Sequence, residues 1–247
     1  MRQVALVMPM AGRGSRFGTG GTCAPKPLRT LWGRPFFWWA TESARRAFDI
    51  VETIFVLLQE HVEDFAIEQQ IRSVYPHARF VIVPEVTRGA AETAMLGVDA
   101  LEFSGPLIVN DTDHAFVASG AGSIVDGMAE GTSAALLTFH SANPAYSYAR
   151  LSDAGEVIGT AEKRVISNDA IAGAYLFADP QTYRRAYQGY HAECRYDEVF
   201  ISGLYDRLIA AGGRVDLCRL DDHISFGTPD ELARLAPRTV QPWAAWA

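Results

Sequence analysis

Only two of the 22 basic residues in this chain of 247 are lysines. Lys26 stands in CAPKPLRT, between Pro25 and Pro27, and Lys163 stands in GTAEKRVIS. An ammonium on a slim stem is a compact point charge that can follow an oxygen as charge moves, whereas a guanidinium is a broad planar fork suited to a static grip. The flanking prolines stiffen the backbone at Lys26 and lower the entropy lost when the side chain is held. Two further cations, Arg13 and Arg16, lie in PMAGRGSRFG, which directly follows an apolar run. Gly12 and Gly14 open backbone conformations closed to other residues, so the N–H groups along Ala11, Gly12, Arg13, Gly14 and Ser15 can converge on an anion. On glycine spacing alone, an anion cradle and a plain turn with two solvated arginines are equally good readings. A dinucleotide-binding loop competes, but Phe17 replaces its third glycine and no acid closes the second strand-like run.

Acids complement these cations. LIVNDTDHAF carries Asp111 and Asp113 two residues apart, so in extended backbone their side chains share a face. Such a pair can hold Mg²⁺, with water and phosphate oxygens filling the octahedron. A lone Asp-x-Asp is more often a turn acid that caps the next segment. His114 is read as packing or as support for the acids.

The elements that must position these groups are legible in outline. Apolar runs at Gln3–Pro9, Thr53–Gln59, Ala78–Pro84 and Gly105–Asp111 alternate with amphipathic stretches at Pro35–Phe48, Glu60–Tyr75 and Ala90–Leu101. Uniformly apolar strands separated by helices predict an α/β, Rossmann-like, mostly parallel sheet with helices on both faces. Thr132–Phe139 reads as a fifth strand. The second half predicts a smaller mixed portion: a hairpin around SDAGE, a strand over Ala170–Ala178, helices near Pro180–Tyr187 and Glu198–Ala211, a strand in GGRVDLCRL and a short helix in TPDELARL. Residues 1–247 are read as one domain, with halves at about 1–140 and 141–247.

Composition narrows the classes. A hydrophobic fraction of 49% with 21% charged residues is that of a globular chain, and no apolar run is long enough to span a bilayer. Three cysteines, Cys23, Cys194 and Cys218, without CxxC spacing suit a reducing cytoplasm and argue against a disulfide framework or zinc. A net charge of -7 without a basic run argues against a nucleic-acid groove.

GRGSRF followed shortly by PKPL resembles the signature of the nucleotidyltransferase family, the sugar-phosphate nucleotidylyltransferases with an NTP-transferase domain. The resemblance implies that the glycine loop wraps a triphosphate, with Arg16 and Lys26 acting at the scissile bond. It implies that Asp113, and next to it Asp111, hold Mg²⁺. Glu162 and Lys163 resemble the family's Glu-Lys element, implying contacts to the acceptor and to its phosphate, and Gly173 would lie where a sugar ring nears the backbone. The prolines that often follow that element are replaced by RVISND, which alters the loop. VTRGAAETAML matches the turn that lies near the base in relatives, implying Gly89 and Thr93, with Arg88 as a further phosphate contact. In SFGTPDEL, Ser225 stands where many relatives have an aspartate, and Asp221 and Asp222 substitute only if the strand end curls back. Thr228 to Glu231 form a capping box in their own right.

The resemblance further implies an NTP and a phosphorylated small molecule as partners, with no nucleic acid or membrane. The reaction implied is transfer of NMP to a sugar 1-phosphate, with a phosphocholine-like acceptor as alternative. An NAD(P)-dependent oxidoreductase and a non-catalytic nucleotide-binding module are the readings from other classes. The tail carries Trp243 and Trp246, which fold back onto the chain or meet another subunit in a homo-oligomer.

Overall fold

The computed structural model describes residues 3–18, 24–237 and 241–246; Cys23 falls outside this set. Strand β1 (Gln3–Met10) lies near the centre of the main sheet, with Val4 to Met8 fully buried. Its alternate residues feed two cores, Val4, Leu6 and Met8 on one face and Ala5 and Val7 on the other. That is why an unbroken apolar run is needed here rather than an alternating one.

Two short strands, β2 (Thr30–Leu31) and β3 (Arg34–Pro35), lead into α1 (Phe36–Ala47). Then come β4 (Asp49–Leu58), α2 (Gln59–Phe65), α3 (Ile67–Val74), β5 (Arg79–Val83), α4 (Ala90–Asp99) and β6 (Leu107–Asn110). The stretch expected to be one helix over 60–75 is broken at Ala66, whose φ is +49°; beyond the break Ile67 and Ile71 are fully buried. The chain continues through β7 (His114–Val117), α5 (Ala121–Ala129), β8 (Thr132–His140), the hairpin β9 (Tyr148–Leu151) and β10 (Val157–Ala161), and β11 (Asp169–Phe177). It ends in α6 (Pro180–Glu193), α7 (Ser202–Ala210), β12 (Arg214–Arg219), β13 (Asp222–Ser225) and α8 (Pro229–Leu235).

β5, β4, β1 and β6 are parallel neighbours; β11 runs antiparallel to β6 and to β8, and β12 is parallel to β8. Six of these strands therefore point one way and β11 alone opposes them, the mostly parallel α/β sheet expected. Residues of α1, α3 and α5 pack in one core, and those of α4, α6 and α7 in the other. A separate antiparallel pair, β7 with β13, was not legible in the sequence and sets Ser225 opposite His114. α7 starts later than expected because Val199 is spent on a bridge: its N–H donates to the Arg88 carbonyl at 2.8 Å and its carbonyl accepts from Ala91 at 3.1 Å.

The tail folds back. Trp243 is fully buried, and Trp246 stacks on Trp39 of α1 with ring centroids 6.2 Å apart. Among the described residues, no helix is long and apolar enough to cross a membrane.

Candidate active site

Ligands of open parallel sheets bind beyond the carboxyl ends of the strands. The glycine loop leaves β1 at that edge and the acids leave β6 beside it, since β1 and β6 are parallel neighbours. A cleft of about 670 Å³ opens there, lined by Ala11, Gly12, Arg13, Gly14, Arg16 and Lys26 on one side. Arg88, Gly89 and Thr93, Asp111, Asp113 and His114, and Glu162 and Gly173 also line it. The Ser15 side chain lies outside the described set. Arg13 is exposed and approaches Glu60 at 3.9 Å; Arg16 is exposed as well.

Lys26 opens a 3-10 turn, Lys26–Leu28, whose Pro27 is buried. Its ammonium donates to Asp113 Oδ2 at 2.5 Å, and the side chains are only 21% and 26% exposed. Gly14 lies behind it with φ +61°; a side chain there would sit 2.6 Å from Lys26 Cβ. The glycine is thus required twice, by its conformation and by the lysine packed on it.

Asp111 is seated differently. Its N–H donates to the Gly173 carbonyl at 2.9 Å. Gly173, at φ +75°, marks an irregularity in β11: the register with β8 shifts between Ile171 and Tyr175, and the neighbour on the other edge changes from β9 to β6. A Cβ at 173 would come 3.0 Å from Asp111 Oδ2. The bulge therefore makes room for the acid inside the sheet edge.

The two carboxyls are electrostatically unlike. Burial, and then the charge of Asp113, lift Asp111 to about 8. Burial works the same way on Asp113, but the Lys26 ammonium overrides it and holds that carboxyl down at about 2. One cation thus serves two crowded acids. A hard divalent ion suits such a place, because two carboxylates leave the other positions of an octahedron to water and phosphate oxygens. Among the described residues no group of three or more His, Cys, Asp or Glu forms a fuller cage. His114, 3% exposed, is pushed down to about 4 by burial and stacks on Phe116, so it enters as neutral packing.

Ser225 lines the cleft together with Tyr146, whose hydroxyl donates to Glu231 Oε1 at 2.7 Å. Thr228 caps α8 as expected, accepting from Glu231 N at 3.3 Å, while the Glu231 side chain accepts from the Thr228 hydroxyl at 3.0 Å rather than from its N–H. Asp221 does not curl back: its carboxylate accepts from Ser119 N at 2.5 Å and Ser119 Oγ at 3.0 Å. Asp222 accepts from His223 N at 2.8 Å.

Glu162 faces the cleft from the end of the hairpin, and one oxygen accepts from Ser147 Oγ and, at 2.9 Å, from Ser202 Oγ. Lys163 does not point in. It is exposed at φ +51°, with Nζ 4.6 Å over the ring of Phe200, which does line the cleft. Gly89, at φ +149°, has no room for a side chain, which would meet Val199 N and O at 2.7 Å. Thr93 Oγ lies 2.6 Å from Thr87 Oγ and donates to the Gly89 carbonyl at 3.2 Å. Sequence reasoning missed Tyr146, Ser147, Phe200, Glu231 and Gly227, all of which line the cleft. Gly227 and Glu231 carried a signal, in the Gly-Thr-Pro element and in the capping box that opens α8; Tyr146, Ser147 and Phe200 come from loops without a motif.

No family model and no curated protein matches the chain. Among solved structures it is similar to the nucleoside-diphosphate-sugar pyrophosphorylase of Vibrio cholerae RC9, at 27% identity and a TM-score of 0.78, over 94% of this chain and 100% of that one. It is also similar in fold to a protein described as a glucose-1-phosphate thymidylyltransferase of Bacillus anthracis, at 18% identity and a TM-score of 0.76, over 96% and 94% of the two chains. The likeness is to sugar nucleotidyltransferases over nearly the whole length, and the α/β fold is theirs.

Proposed function

We propose that the protein transfers NMP from an NTP to a sugar 1-phosphate, releasing pyrophosphate and giving a nucleotide-activated sugar. The convergence of the glycine loop, the Lys26–Asp113 pair and Glu162 in one cleft carries this reading. The similarity to the Vibrio cholerae pyrophosphorylase supports the reaction type.

The nucleophile is the monoester oxygen of the acceptor, whose second pKa of about 6 leaves it ionised at neutral pH. The protein then needs no base, and its neutral, buried His114 offers none. What the chain must supply is alignment of two mutually repelling anions and neutralisation of charge building on the leaving pyrophosphate. In this proposal the N–H groups of Ala11 to Ser15, with Arg13 and Arg16, hold the triphosphate, and Gly89 and Thr93 meet the base. Lys26 faces the reacting phosphate. Glu162 and Gly173 position the acceptor, and Lys163 swings off Phe200 to its phosphate. Asp111 and Asp113 would hold Mg²⁺, which when bound would neutralise charge on the phosphate oxygens and so make the α-phosphorus more electrophilic. Residues 141–247 act as the acceptor half of one catalytic domain, and the setting proposed is the cytoplasm.

The test is pyrophosphate release in a grid of NTPs against sugar 1-phosphates, with phosphocholine as a further acceptor, in Mg²⁺. Turnover with one NTP and one sugar 1-phosphate is expected. Turnover with phosphocholine alone, or none with any pair, overturns the proposal.

A further inference from the structure

Three charged side chains form the centre of the cleft, and each rests on a glycine from a different segment. Gly14 backs Lys26 and Gly173 backs Asp111, both with positive φ. The third is Gly227, between β13 and α8. A Cβ at 227 would stand 2.3 Å from Asp113 Oδ2, 3.0 Å from Cγ and 3.3 Å from Cβ. Oδ2 is the same oxygen that accepts from Lys26 at 2.5 Å. Neither strand can retreat to relieve the crowding, since Phe226 N donates to the Asp113 carbonyl at 2.8 Å and β13 is paired with β7.

We propose that Gly227 is a positioning residue that seats the Asp113 carboxylate against Lys26, so that the β13–α8 junction, which offers Ser225 rather than an acid, acts on the centre by its lack of a side chain. Gly227 differs from the other two seats in one useful respect: its φ lies outside the left-handed region. Alanine there carries no left-handed strain, so the methyl acts through its clash with Asp113. The carboxylate must rotate off Lys26, leaving the ammonium without its partner and changing where the acid faces the cleft. The inference rests on the proposed reaction only for its kinetic consequence; the seating itself is a property of the ligand-free chain.

The lysine count makes the test direct. With Lys26 and Lys163 as the sole side-chain amines, limited acylation by an N-hydroxysuccinimide ester followed by mass spectrometry reads both in one experiment. In the unsubstituted protein Lys26 should label several-fold more slowly than the exposed Lys163. In G227A the Lys26 rate should rise toward that of Lys163, while Lys163 itself stays constant as internal control. In a D113A background G227A should change nothing further, because the group it displaces is gone. Mn²⁺ affinity, followed by the paramagnetic broadening of water relaxation, should fall in G227A, and adding G227A to D113A should lower it no further. Unchanged Lys26 labelling in folded G227A, or an equal rise caused by G227A in the D113A background, would overturn the inference. If G227A fails to fold while D113A/G227A folds, the clash with Asp113 is shown by the rescue; if both fail, the glycine serves the fold and the inference falls. Absence of turnover with every substrate pair would sink the proposed reaction and leave the labelling result standing.

Discussion

The two walls of the cleft are built to different standards. On the wall proposed for the nucleotide, Lys26 is enclosed, ion-paired to Asp113 at 2.5 Å and backed by Gly14. On the wall proposed for the acceptor, Lys163 is exposed, sits at φ +51° and rests on the face of Phe200. An enclosed, paired ammonium is preorganised and needs no movement to neutralise developing charge. An ammonium on an aromatic face is held by about 0.5–1 kcal/mol at an exposed site, little enough to be released when a phosphate arrives. Under the proposed reaction, this difference suits one wall to the chemical step and the other to acceptor capture.

The largest expected effect comes from Lys26. K26A should lower kcat by about 10²–10³, in the range of about 3–4 kcal/mol for removing one preorganised donor, and K26R should restore little of it because the fork does not fit beside Gly14. Steady-state kinetics with saturating substrates read this directly. D111N should lower Mg²⁺-dependent turnover by less than K26A does, yet raise the melting temperature of the metal-free protein by about a few degrees, since burial and the Asp113 charge disfavour the ionised acid. Differential scanning fluorimetry in EDTA checks the sign, and a fall in melting temperature would remove the conflict claimed for this pair. K163A should raise KM for the acceptor about tenfold, equivalent to about 1.4 kcal/mol, and leave KM for the NTP unchanged. The smallest effect expected is on stability: K163G should raise it by about 1 kcal/mol, because a non-glycine residue in the left-handed region is strained by about that amount. Equal kinetic effects of K26A and K163A on both substrates would erase the contrast between the walls.

What the sequence made legible follows the same division. The parallel strands of the first half announced themselves because both faces are covered, and the glycine loop and acids could be placed at their ends. The hairpin at residues 148–161 was legible from its turn. The β7–β13 pair was not, because strands of four residues with mixed burial carry no period that sequence can show. Nor could spacing reveal that Gly173 makes a bulge for Asp111, or that Gly227 stands against the carboxylate of Asp113. These depend on segments 60 to more than 100 residues apart meeting at one edge. Lys163 was legible as a member of a motif, but its resting place on Phe200 was not, since that ring lies in a loop fixed by the Val199 bridge.

The central claim is that positioned cations let an already ionised phosphate attack directly, with no protein nucleophile between donor and acceptor. An NTP of known configuration at a sulfur-substituted α-phosphorus tests it most directly, through the configuration of that phosphorus in the nucleotide-sugar product. A single displacement predicts inversion. Retention would mean two displacements through a covalent enzyme intermediate and would contradict the account.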